Sequence, residues 1–223
     1  MKSNINSTYF TSVRNQTLYI IAIILASLMT ASGQNDESKL DKFSIKKMKK
    51  ADVVGLQVGY LKKDGTIWSG SYGKIKYIDN LNVNDSTLFM IASCSKPVTA
   101  FAILKLYNDK KIDLDADINQ YLPFRINNPI FPKTIITARM LLTHTSSFKD
   151  NWEVIEPLYT TEKGGDSPIP LNDFVSDYFT EKGKYYDSAA NFFNKQSGSF
   201  WEYSNMGYAV LGLIIESASK KEF

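Results

Sequence analysis

The chain has a single cysteine, Cys94, and a single histidine, His144, among its 223 residues. One cysteine excludes an intramolecular disulfide, so no oxidised framework holds the fold. One histidine leaves Ser-His-Asp chemistry resting on His144 alone, at the end of the apolar stretch Leu141-Leu142-Thr143. In that setting the imidazole reads as structural, hydrogen-bonding a loop. No Gly-x-Ser-x-Gly occurs, which removes the strand-to-helix nucleophile elbow. Excess charge is also missing. With Lys2 and Arg14 set aside, 24 basic residues stand against 23 acidic ones, which implies neither nucleic acid nor an anionic membrane as partner.

What is present begins with a leader-like stretch over residues 1–33. Lys2 and Arg14 form a basic start, and no charge recurs before Asp36. Leu18–Met29 is an apolar core, and Ala31-Ser32-Gly33 supplies small residues for cleavage before Gln34. The reading is export, to the periplasm or outside the cell. An uncleaved anchor is the alternative, although the run is shorter than the roughly 20 apolar residues needed to span a bilayer. With no cysteine near the cleavage point, a lipoprotein is not indicated.

From Gln34 onward a polar linker leads to an amphipathic helix at Leu40–Lys50. Strand-like runs follow at Val53–Tyr60 and Thr66–Tyr72, joined by Lys62-Lys63-Asp64-Gly65, whose Asp-Gly signals a hairpin turn. Ser95 to about Asn108 is a helix apolar nearly all round, which places it in a domain interior. Asp113, Asp115 and Asp117 alternate as in a calcium loop but lack its glycine and closing glutamate, and read as a solvated turn. Thr137 is a candidate N-cap for Ala138–Leu142. Residues 149–200 show one helical stretch, Leu171–Phe179, and a strongly apolar helix runs from Gly207 to Ser217.

The chemistry centres on Ser93-Cys94-Ser95-Lys96. Ser-x-x-Lys recurs at Ser44, Ser71, Ser146 and Ser217, so the spacing alone proves little. The copy at Ser93 differs in its setting. Pro97 is tolerated only in the first turn of a helix, so Ser93 sits at or just before the helix N-terminus, with Lys96 one turn on. Free N–H groups and the helix dipole there favour an oxyanion and disfavour a protonated lysine, which suits a serine nucleophile activated without histidine. Cys94 is a rival nucleophile, but no His or Asn is placed nearby to activate it. Tyr203-Ser204-Asn205 is the one Tyr-x-Asn in the chain. Tyr203 can shuttle the serine's proton and Asn205 can hold a substrate amide or carbonyl. Alternatively Asn205 only caps the following helix, with Tyr203 packed behind Trp201.

Phe89-Met90-Ile91-Ala92-Ser93-Cys94-Ser95-Lys96-Pro97 resembles the nucleophile segment of the serine β-lactamase and penicillin-binding protein superfamily, nearest its class C branch. Ile136-Thr137-Ala138-Arg139-Met140-Leu141-Leu142-Thr143-His144-Thr145-Ser146 resembles that branch's Ile-Thr…Leu-Leu-x-His-Thr-Ser segment, and Tyr203-Ser204-Asn205-Met206-Gly207-Tyr208 its Tyr-x-Asn motif. The likeness covers roughly residues 40–223. It implies an α/β (α+β) β-lactamase/transpeptidase-like fold, an antiparallel sheet flanked by helices beside a mostly helical lobe, formed by residues 34–223. It implies Ser93 as the acylated nucleophile, Lys96 as its proton partner, Tyr203 as general base and acid, and Asn205 as a substrate-positioning residue. The Ser93 backbone N–H would be one oxyanion donor and a later strand would supply the other. The substrate would be a small-molecule or peptide amide or ester, with no metal or organic cofactor. A non-catalytic binding protein that keeps the fold is the alternative. The family's third motif, Lys or His, then Thr, Ser or Ala, then Gly, follows Tyr-x-Asn on a strand, whereas only 18 residues follow Asn205 here. The expectation is an N-terminal part of a longer hydrolase, with its C-terminal strands missing, unstable or inactive alone. Ser147 stands where the branch has glycine, which predicts a different turn.

Overall fold

Alternating strand residues around an Asp-Gly turn give the hairpin that the sequence predicts. β1 (Gly55–Leu61) pairs antiparallel with β2 (Ile67–Gly73), in a register running from Gly55 opposite Gly73 to Leu61 opposite Ile67. In the turn, Gly65 takes a left-handed φ of 85° and the Asp64 carboxylate accepts from Thr66 N at 2.9 Å. Both strands lie about one residue later than their sequence pattern suggests. This computed structural model describes residues 39–78, 80–159 and 167–223; the leader expected at 1–33 lies outside the described residues.

The chain divides into two units, one ending at Met90 and one running from Ile91 to Phe223. In the first, residues 39–50 form helix α1. The Tyr72 hydroxyl donates to Asp41 at 2.6 Å and so ties β2 to this helix. Gly73 has φ 77°, and a Cβ there would lie 2.2 Å from the Val54 carbonyl oxygen, so this strand end requires glycine. Among the described residues the sheet has two strands.

The second unit is helical. A 3-10 turn at Ala92–Ser95 runs into α2 (Lys96–Asn108); then come α3 (Ala138–Leu142), α4 (Trp152–Ile155), α5 (Leu171–Phe179) and α6 (Asn205–Ser219). Its core is organised by α6, which buries Met206, Gly207, Val210, Leu211, Gly212, Leu213, Ile214 and Ile215 and packs against α2, α3 and α5. Each fully buried Val, Leu or Ile is worth about 1.5–3 kcal/mol, so this helix contributes several such increments to the unit's stability. Phe148, Phe179 and Phe192 form an aromatic cluster beside it, with ring centroids 4.2–5.8 Å apart.

One expectation fails on α2. Its apolar positions suggest burial all round, but only Thr99, Ile103 and Leu106 are buried, while Val98 and Phe101 are 67% and 73% exposed. The buried residues fall at helical spacing on one face. Apolar content alone does not say which faces are covered. The acidic turn is occupied by protein donors: Asp115 pairs with Arg139 at 2.7 and 2.8 Å, and Asp113 and Asp117 accept from nearby backbone N–H groups. Among the described residues no helix is long and apolar enough to cross a membrane.

Candidate active site

The nucleophile turn is built on local strain. Ala92 has φ 45°, a left-handed conformation that costs an L-residue about 1–2 kcal/mol. Cys94 N then donates to Ile91 O at 3.0 Å to close the 3-10 turn, and Pro97 lies in the first turn of α2. Ser93 and Cys94 are both exposed, and Cys94 is a free thiol. One turn on, Lys96 Nζ donates to Ser93 Oγ at 3.1 Å.

The facing wall comes from the start of α6, more than a hundred residues later. Tyr203 OH lies 2.6 Å from Ser93 Oγ, and Lys96 Nζ donates to Asn205 Oδ1 at 2.7 Å. The structure therefore brings Ser93, Lys96, Tyr203 and Asn205 into one hydrogen-bonded cluster. The helix cap is Ser204, not Asn205: Ser204 Oγ accepts from Gly207 N at 3.0 Å, and Asn205 is the first helical residue. That frees the Asn205 side chain for Lys96. Tyr203 does not pack behind Trp201 but lies on His144, ring centroids 4.5 Å apart.

His144 follows α3 with φ 57°. Its Nδ1 accepts from Ser204 N at 3.2 Å and its carbonyl accepts from Glu202 N at 2.8 Å, so it grips the 202–204 segment from both ends. This is the loop-bonding role its sequence context suggests, placed directly beneath Tyr203. Asp150 is a further member that no sequence pattern marked. It accepts from Ser204 Oγ, Asn205 N, Asn205 Nδ2 and Met206 N at 2.8–3.0 Å.

The electrostatics favour ionisation of Tyr203. Burial opposes the phenolate, but the neighbouring Lys96 and Ser93 side chains outweigh it and lower the pKa below its ordinary 10.0. The Lys96 ammonium also faces the rings of Tyr203 and Tyr208, at 4.8 and 5.3 Å from their centroids. For His144, burial and then the Lys96 charge lower the pKa from 6.5, so the ring is neutral at pH 7 and Nδ1 is able to accept. Among the described residues no group of three His, Cys, Asp or Glu is placed to hold a metal ion. A hydroxyl hydrogen-bonded to both a phenol and a lysine pairs a candidate nucleophile with candidate proton acceptors.

The family model for Beta-lactamase matches residues 40–223. The chain belongs to the beta-lactamase family. Penicillin-binding protein 4* of Bacillus subtilis (strain 168) is 29% identical over 153 residues, covering 69% of this chain and 30% of that protein. Protein flp of Staphylococcus aureus (strain N315) is 25% identical over 189 residues, 85% of this chain and 35% of flp. In fold, the octameric penicillin-binding protein homologue from Pyrococcus abyssi superposes with a TM-score of 0.63 over 83% of this chain and 40% of its own, at 24% identity. The fold is thus β-lactamase/transpeptidase-like, and the chain spans about a third of the length of these curated relatives. Within this family of serine acyl-transferring hydrolases, the turn after His144-Thr145-Ser146 is made with Ser147 at φ 68°. Its buried hydroxyl accepts from Asn128 Nδ2 at 2.9 Å and donates to Lys195 O at 2.6 Å, which offsets the strain of a non-glycine residue.

Proposed function

We propose that this chain carries the nucleophilic centre of a serine hydrolase acting on an amide or ester through an acyl-enzyme. The supporting observation is the contact of Ser93 Oγ with Tyr203 OH at 2.6 Å and Lys96 Nζ at 3.1 Å. In this reading the Tyr203 phenolate, stabilised by Lys96, takes the Ser93 proton as Oγ bonds to the substrate carbonyl carbon. In the same reading the Ser93 N–H, which precedes the first bond of the turn, made by Cys94 N, donates to the developing oxyanion. Collapse breaks the carbonyl C–N or C–O bond, and Tyr203 returns the proton to the leaving group. Water then attacks the Ser93 ester with Tyr203 again as base, releasing the acid and restoring the serine. Asn205, the substrate-positioning residue that the family resemblance implies, has its Oδ1 on Lys96 and in this reading seats Lys96. The test is a fluorophosphonate probe on the 223-residue chain, read by intact mass and peptide mapping. One adduct on Ser93, absent in Ser93→Ala, is expected; stoichiometric labelling needs only this centre, so it stands beside the expectation that the chain alone does not turn over substrate. No adduct, with ligand binding retained, would replace this reading with a non-catalytic binding protein.

We also propose export, on the strength of the basic start, apolar core and small-residue site of residues 1–33. A mature N-terminus at Gln34 after expression is the expected finding; an intact Met1 terminus in the exported fraction would contradict it.

A further inference from the structure

We infer that Asp150 is a positioning residue, which fixes the Asn205 amide with its oxygen toward Lys96 and so holds Lys96 between Ser93 and Tyr203. The inference rests on the reading of Ser93, Lys96 and Tyr203 as the reacting groups.

Donors and acceptors decide the orientation of the Asn205 amide. A carboxylate only accepts, and Asp150 uses both oxygens twice: Oδ1 for Ser204 Oγ at 3.0 Å and Met206 N at 3.0 Å, Oδ2 for Asn205 N at 2.9 Å and Asn205 Nδ2 at 2.8 Å. An ammonium only donates. The Asn205 amide lies between the two, with one accepting and one donating end. Only one orientation satisfies both neighbours: Nδ2 on Asp150 and Oδ1 on Lys96 Nζ at 2.7 Å. A flipped amide would set NH2 against the ammonium and oxygen against the carboxylate. The orientation at Lys96 is therefore imposed from Asp150.

Asp150 is itself mounted on a rigid support. The Tyr178 hydroxyl, on a fully buried side chain of α5, donates to Lys149 O at 2.8 Å and accepts from Asn151 N at 2.7 Å, bracing the backbone on both sides of Asp150. Asn191 adds a second brace: its carbonyl accepts from Lys149 N at 2.9 Å and its Oδ1 from Asn151 Nδ2 at 3.2 Å. A line of contacts thus runs from the α5 core through Asp150 and Asn205 to Lys96.

The direction of a titration separates this role from simple charge. Tyr203 is faced by Ser93 and Lys96 from the α2 side, His144 after α3, Asp150, and Tyr208 of α6. Among these, the Asp150 charge works against the Tyr203 phenolate and the Lys96 charge favours it. If Asp150 acted only through space, Asp150→Asn would move Tyr203 ionisation to lower pH. If Asp150 seats Lys96, the variant puts an NH2 where an acceptor is needed, the amide turns, Lys96 leaves, and ionisation moves to higher pH.

The experiment is NMR titration of ring-labelled tyrosine in the full 223-residue chain, with Tyr203 assigned from Tyr203→Phe, alongside the rate of fluorophosphonate labelling. Asp150→Asn is expected to raise the pH of Tyr203 ionisation and to slow labelling about tenfold, the scale of one charge-assisted hydrogen bond. Asn205→Ala is expected to do the same, and the double variant no more than either single one. Ionisation at lower pH in Asp150→Asn, or additive effects in the double variant, would overturn the inference. Should Asp150→Asn not fold, Tyr178→Phe loosens the Asp150 support without changing the site's charge: a rise supports the inference, and no change overturns it. A chain whose Ser93 resists labelling while Tyr203 moves upward in Asp150→Asn would overturn the hydrolase reading and leave the positioning role standing.

Discussion

The two walls of the cluster are made in opposite ways. At Ala92–Ser95 no residue is buried, no side chain caps the turn, and the backbone enters through a left-handed alanine. At Ser204–Met206 the helix start is capped by its own serine, its N–H groups are taken up by Asp150, and the preceding segment is held by His144. Ser93 is thus presented, with Lys96 one turn on, from an exposed, strained turn, whereas Tyr203 and Asn205, its proposed partners on the other wall, are held by Asp150 and His144. Precise geometry is required of the side that moves protons, and that side has the bracing.

Substitutions on the two walls should therefore differ in kind. The largest effect is expected from Ser93→Ala, which should abolish covalent labelling while leaving the urea midpoint unchanged, since the side chain supports nothing buried. Tyr203→Phe comes next: loss of the phenol should slow labelling by about 10²-fold or more, the range of general acid–base groups. Asp150→Ala should add a cost that Ser93→Ala lacks, about 3 kcal/mol in urea denaturation, because it orphans the start of α6. If Asp150→Ala leaves the urea midpoint in place, or Ser93→Ala lowers it, the contrast between the walls breaks.

A smaller effect is expected with pH. The folded-state pKa of His144 lies below 6.5, so below about that pH the unfolded chain takes up a proton before the folded chain does. Its contribution to stability is complete above 6.5 and is lost as the pH falls toward the folded value. His144→Asn keeps an acceptor and tolerates a left-handed backbone. Between pH 7.5 and 5.5 the wild-type urea midpoint should fall more than that of His144→Asn; equal falls would remove His144 as the clamp on 202–204. The smallest effect is expected from Ala92→Gly. Relief of the left-handed strain and the added chain entropy nearly cancel, so stability should change by less than about 1 kcal/mol.

Much of this was legible in the chain. α5 has the bounds its pattern suggests, Leu171–Phe179, and Thr137 caps α3 by accepting from Met140 N. Pro97 places Ser93 just ahead of α2 because a proline ring excludes any earlier helical turn. What was not legible depends on tertiary partners. Asp150 sits in Lys149-Asp150-Asn151, a polar stretch without periodicity, and its ligands lie more than fifty residues away. Ser204 and Asn205 are both good capping residues, and the backbone alone decides between them: Ser204 is extended and Asn205 helical. The bare face of α2 was hidden because an apolar sequence does not name its covering.

Activation of Ser93 by the Tyr203 phenolate is the central proposal. The direct measurement is the pH dependence of Ser93 labelling in the wild-type chain and in Tyr203→Phe. The expected result is a rate that rises with a midpoint below the ordinary tyrosine value of 10.0, coincident with the Tyr203 titration, and a rise that is absent in Tyr203→Phe. A midpoint at or above 10.0, or the same profile without the phenol, would contradict the account.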